Sequence, residues 1–176
     1  MKASAFLKWL LLVPVLLNQE LCSAAESDFS KYPVPLYQGS LHIPTYYKKT
    51  DDGWRDDDGK LVAPLAINFA GKYYIGLHSC GTECRYYSMS DLSSGKDSSA
   101  LNMFSSNGEA RLRTRDGRTY ITDLASRADS NLLVARYYID ASDGKAAECR
   151  QKEFLLDSDM KVVPVSNALS PCPTDK

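Results

Sequence analysis

Asn68-Phe69-Ala70-Gly71-Lys72-Tyr73-Tyr74-Ile75-Gly76-Leu77-His78-Ser79-Cys80-Gly81-Thr82-Glu83-Cys84-Arg85-Tyr86-Tyr87-Ser88-Met89-Ser90-Asp91 is the stretch that decides the fold. Lys72 to Ser79 alternates with the period of a strand, and Arg85 to Asp91 reads as a second one. Only Gly81, Thr82 and Glu83 separate the two cysteines, a glycine-bearing connection of hairpin length. With Cys80 facing Cys84, Leu77 lies opposite Tyr87 and Ile75 opposite Met89 on one face, the expected core side. The other face pairs His78 with Tyr86, Gly76 with Ser88 and Tyr74 with Ser90. It is aromatic and polar, suited to half-burial or to a partner. A one-residue slip would exchange the two faces.

The chain outside this hairpin is also strand-like. Leu61 to Phe69, Arg118 to Leu124, Leu132 to Ile139, Ala147 to Leu156 and Met160 to Val165 read as strands. Ala100 to Phe104 reads as a helical turn inside a Ser-rich loop. No stretch after residue 25 sustains helical periodicity over about ten residues. The expected fold is therefore all-β, a single antiparallel meander of about seven or eight strands, partial-propeller or sandwich-like, stabilised by disulfides. Two similar segments, Thr114-Arg115-Asp116-Gly117-Arg118 and Ser126-Arg127-Ala128-Asp129-Ser130, each precede a strand. They resemble strand-entry turns of propeller blades, but their spacing is far below a blade of about 40 residues.

Residues 1–25 read as a secretory signal peptide: Lys2 and Lys8, an apolar run from Trp9 to Leu17, and small residues at 22–25. The run is too short to span a bilayer, and Gln19-Glu20-Leu21 before Cys22 is a poor lipidation site. Residues 26–47, with Pro33, Pro35 and Pro44, are expected to form an extended arm, and 48–176 a β domain. After the signal, Cys80, Cys84, Cys149 and Cys172 remain. An even count in an exported chain implies a disulfide framework with three connectivities, of which proximity favours Cys80–Cys84 and Cys149–Cys172. In the chain-entropy model these loops contribute roughly 2 and 3.5 kcal/mol.

The net charge is −1 in 176 residues. Cleavage of the signal removes two lysines and one glutamate and leaves −2, without the basic excess of a nucleic-acid binder. Asp51 to Lys60 holds five aspartates in eight residues but misses the calcium-loop pattern: anchored on Gly59, position 1 falls on Trp54. It reads as a solvated turn. His78 and Cys80 share a strand face, which tempts a thiol–imidazole pair or, with Cys84 and Cys149, a zinc site. Disulfide formation and packing of His78 on Tyr86 is the plainer reading, so no metal, cofactor or catalytic residue is assigned. With only two histidines, and His42 in the arm, a Ser-His-Asp set is hard to build. Arg111, Arg113, Arg115 and Arg118 form a basic cluster within eight residues. They are the first candidates for gripping a protein partner, together with Glu83 in the hairpin turn and the Tyr74, His78, Tyr86 face.

The pattern Asn68-Phe69-Ala70-Gly71-x-Tyr73, Cys80-Gly81-x-x-Cys84 and Ser126-Arg127-x-Asp129-Ser130-x-Leu132-Leu133-Val134 resembles one found in small, mostly uncharacterised exported bacterial β proteins. It spans residues 68–139 and implies no particular activity. In architecture alone, the layout is similar to periplasmic immunity proteins that neutralise cell-wall-attacking effectors of type VI secretion. That resemblance implies a periplasmic or secreted, non-catalytic binding protein whose partner is a secreted hydrolase. The rival expectations are an envelope enzyme using His78 with a nearby carboxylate, and a structural envelope component.

Overall fold

The computed structural model describes residues 27–81, 84–106, 112–142 and 144–173. The expected signal peptide, Glu83 and Arg111 lie outside them. Among the described residues the chain is all-β and antiparallel, with no closed barrel and no α-helix. Three meanders follow in chain order: β1 (Lys48–Thr50), β2 (Gly53–Arg55) and β3 (Leu61–Val62); then β4 (Tyr73–Gly81), β5 (Cys84–Asp91) and β6 (Lys96–Ser98). The third comprises β7 (Tyr120–Ser126), β8 (Leu132–Ile139), β9 (Glu148–Leu156) and β10 (Val162–Pro164), with β11 (Ser170–Pro171) also beside β9.

The β4–β5 hairpin has the expected register: Leu77 opposite Tyr87, Ile75 opposite Met89, His78 opposite Tyr86 and Tyr74 opposite Ser90. One detail differs. Gly81, at φ +137°, pairs with Cys84, and the register shifts between Ser79 and Gly81, so Cys80 lies in a bulge. The Cys80–Cys84 bridge still closes, over a Cα–Cα distance of 5.0 Å.

Both hairpin faces are buried. Tyr73, Tyr87 and Met89 join Leu133, Ala135 and Phe154 in the larger core, with Phe104 set edge-on to Phe154 at 5.1 Å. Each fully buried side chain of this size contributes about 1.5–3 kcal/mol. Tyr74 and Leu92 face the other way, into a second cluster with Tyr47 and Leu65. The hairpin is thus the partition between two cores.

One turn and one strand need correction. Asp51 to Lys60 is not merely a turn, because it contains β2 and the turns on either side of it. Leu61 to Phe69 is a strand only at Leu61–Val62. Pro64 lacks the N–H that a ladder needs, and Asn68 to Gly71 turn sharply instead, with Ala70 at φ 45° and Gly71 at φ 79°. Asn68 stabilises that turn through its side chain, which donates to Ile75 O at 2.9 Å and accepts from Ile75 N at 2.7 Å.

Residues 33–42 of the proline-rich N-terminal segment belong to no helix or named strand and are hydrogen-bonded to the rest of the chain along their length. Val34 N donates to Asp129 O, Tyr37 N to Gly71 O and His42 N to Leu92 O. The hydroxyl of Ser130 reaches the carbonyls of Phe29 and Tyr32. Two of the sequence-pattern segments meet beneath this strap. Ala70 N donates to Ser130 O, Gly71 N to Ala128 O, and Ser126 Oγ to Asn68 O.

The second disulfide, Cys149–Cys172, ties the C-terminal tail against β9, where β11 pairs with Arg150 and Gln151. The bridges place the folded chain in a non-reducing environment. No described helix is long and apolar enough to cross a membrane.

Candidate functional site

Two constellations of polar side chains stand out, one buried and one open. The buried one centres on His78. Alternation along β4 turns His78 to the same face as Tyr74, where the β1–β3 meander and the strap cover it. Its Nδ1 lies 2.9 Å from Asp56 Oδ2, and its Nε2 lies 2.9 Å from Ser88 Oγ. Asp56 also accepts from Lys60 N at 2.8 Å, and Tyr47 OH sits 3.0 Å from Ser88 Oγ. Tyr86 stacks on the imidazole at 4.6 Å and 9°. An ionised Asp56 can only accept, so Nδ1 donates to it.

Burial pushes the Asp56 carboxyl up, but the hydrogen bonds from His78 and from Lys60 N outweigh it and hold Asp56 below the usual carboxylate range. Its folded value being depressed, the stability it contributes is complete above about pH 4, the unfolded value, and is lost as pH falls through the folded one. Asp91 adds to the same limb: burial raises it, but Lys72 Nζ at 2.8 Å and Ser93 lower it further. Urea denaturation between neutral and acid pH should therefore show stability falling below about pH 4. Asp56→Asn should make that fall shallower, and an unchanged slope would remove Asp56 from the account.

Ser88, His78 and Asp56 are bonded in the order of a hydrolase triad, an arrangement the count of histidines had made hard to expect. Its surroundings are those of a structural joint. The His78 and Asp56 side chains are 3% and 1% exposed. A Cβ on Gly76 would come within 2.7 Å of Ser88 Oγ and 2.8 Å of Tyr47 OH, so the cluster closes on itself. The partner-facing expectation for Tyr74 and His78 therefore needs correction: both are buried, and only Tyr86 is half-exposed. Cys80 and Cys149 are held in disulfides, which removes the thiolate that a thiol–imidazole pair or a zinc–thiolate site requires.

The open constellation is a cleft of about 650 Å³ at the end of the five-stranded sheet. Tyr120 and Tyr137 form its aromatic part, edge to face at 5.7 Å and 79°, beside Ile139. Burial, and then the neighbouring Tyr120, push the Tyr137 phenol up to about 12. Arg113 and Arg115 border the cleft from the turn before β7, while Arg150 and Lys152 border it from β9. Asn167 and Leu169, in the tail tied down by Cys149–Cys172, complete the lining.

Three of the four cations form no ion pair among the described residues. Arg113 donates to Gly117 O at 2.7 Å, Lys152 lies over the Phe154 ring, and Arg115 is exposed. Arg150 is paired with Glu148 at 2.6 Å. Arg118 is different: its side chain is 9% exposed and engaged by Asp116 and Glu148. Of the arginine cluster read from sequence, Arg113 and Arg115 face the cleft and Arg118 anchors the turn behind them. The partners in the cleft went unnoticed, although the alternation of Arg150, Lys152 and Phe154 already put them on one strand face. Nothing in the run of aspartates singled out Asp56.

Comparison of the chain with protein-family models, with curated proteins and with solved structures found no match.

Proposed function

We propose that this chain is a non-catalytic periplasmic binding protein, in its most concrete form an immunity or inhibitor protein that blocks a cell-wall-targeting effector enzyme. The observation that supports this reading is the gathering of Arg113, Arg115, Arg150 and Lys152 around Tyr120 and Tyr137. Aromatic and arginine side chains in one concavity are the residue types that dominate protein–protein hot spots. Unpaired cations at its rim speed encounter with an acidic partner and select against basic ones.

The test uses the mature, oxidised chain as bait at micromolar concentration against periplasmic extract and neighbouring-strain secretions. A captured hydrolase that is inhibited stoichiometrically, and released by Arg113→Ala with Arg115→Ala, supports the reading. Arg118 is left intact in that variant because it anchors the turn. If no hydrolase is retained, the tight-inhibitor reading fails.

One observation favours a second reading, an envelope hydrolase: the Ser88–His78–Asp56 bonding order. A fluorophosphonate that labels wild-type Ser88 would support it, and an unlabelled Ser88 in folded protein would dismiss it.

A further inference from the structure

We infer that the cleft takes an acidic peptide segment of a partner, with two separated carboxylates flanking an apolar or aromatic side chain. The inference rests on the binding reading above and assigns the chemistry of what enters the site.

Strand geometry sets the spacing of the charges. Arg150 and Lys152 stand two residues apart on β9 and so project to one face about 7 Å apart. Arg113 pairs with Thr119 on the edge of β7 that faces away from β8, so it lies about three strand spacings, or roughly 14 Å, from the cations on β9. Between them run Tyr120 and Tyr137, with Ile139 buried beneath. A single phosphoryl group would be best met by donors converging on one point. Cations on two walls with an aromatic strip between them suit two anions joined by an apolar body.

Charge and size agree. Among the described residues Arg113, Arg115 and Lys152 have no carboxylate partner, so an entering anion does not first have to displace one. Covering these cations without supplying anions would be costly, which excludes neutral or basic segments. A cavity of about 650 Å³ accommodates a few side chains rather than a domain surface. Arg150, already shared with Glu148, supplies direction more than free charge.

The experiment titrates the mature oxidised protein with three labelled, Gly-Ser-flanked peptides, read by fluorescence anisotropy. One carries Asp-Phe-Glu, one the amide counterpart Asn-Phe-Gln, and one Asp-Gly-Glu. The Asp-Phe-Glu peptide is expected to bind about tenfold or more tightly than either control. Arg115→Glu and Lys152→Glu should each weaken it about tenfold, and raising NaCl from about 50 to about 300 mM should weaken it further. Arg115 is exposed and outside any ion pair, so Arg115→Glu should keep the wild-type melting temperature, whereas Lys152→Glu gives up the contact over the Phe154 ring and should lower it by at most a few degrees. Equal binding of the amide peptide, wild-type affinity in the charge reversals, or no saturable binding up to about 1 mM overturns the inference. So does competition by glucuronate at concentrations equal to the peptide's, which would make the ligand an acidic sugar. A captured hydrolase still fully inhibited by Arg115→Glu and Lys152→Glu would sink the inference and leave the inhibitor reading standing. Peptide binding with no hydrolase captured would do the reverse.

Discussion

Replacing His78 with alanine is expected to lower folding stability by about 3–5 kcal/mol, because it leaves Asp56 as an unpaired charge in the interior. For a chain of this size that is a fall of about 6–20 °C in melting temperature. Asp56 is 3% exposed and its Oδ2 loses the Nδ1 contact at 2.9 Å, with only the Lys60 N–H left to Oδ1. Ser88 and Tyr47 lose their shared neighbour at the same time. Pairing the change with Asp56→Ala in a double-mutant cycle should return a coupling of about 1–3 kcal/mol, since the second substitution removes the stranded charge. A single-variant cost under about 1 kcal/mol would mean the pair is not a joint. The consequence reaches function. Loss of activity in His78→Ala would report loss of the fold as readily as loss of chemistry, so Ser88 labelling is the cleaner discriminator.

The hairpin was legible because two cysteines at the edges of a three-residue turn allow few registers, and the apolar set on Ile75, Leu77, Tyr87 and Met89 selects the core face. Even there the sequence misled at Leu77, which is 46% exposed at the hairpin's outer end. The opposite face was misjudged as accessible for a physical reason. What covers it comes from residues 43–65, whose aspartates and prolines have the local composition of a loop. Burial of Asp56 depends on a histidine 22 positions away, and no local periodicity encodes that pairing. In the cleft the same divide holds. Arg113 and Arg115 were identifiable from alternation, but Arg118 looked equivalent to them until Glu148, 30 residues on, was brought alongside. Short-range patterns specify faces, and only tertiary packing decides which face stays open.

Gly71→Ala is expected to cost about 2–3 kcal/mol, the sum of a left-handed backbone penalty of about 1–2 and one disrupted hydrogen bond of about 1. Gly71 has φ +79°, and a Cβ there would fall 2.3 Å from the carbonyl oxygen of Pro35, a backbone atom that cannot rotate away. Relief requires the strap to lift, which breaks the Tyr37 N to Gly71 O bond of 2.7 Å. Gly117 is the internal control: at φ +85° with nothing within 4 Å, its alanine variant should lose only the left-handed penalty of about 1–2 kcal/mol. Hydrogen exchange should localise the difference, with the Val34 and Tyr37 amides losing protection in Gly71→Ala and keeping it in Gly117→Ala. Equal costs for the two variants would show that the strap yields freely and that its contact with the turn is incidental. The expected inequality carries a wider point. Asn68 to Gly71 and Ser126 to Ser130 hold one another and the strap. They encode a joint of the fold, so the proposed partner binding is to be tested where those segments do not reach, at Arg113, Arg115, Arg150 and Lys152.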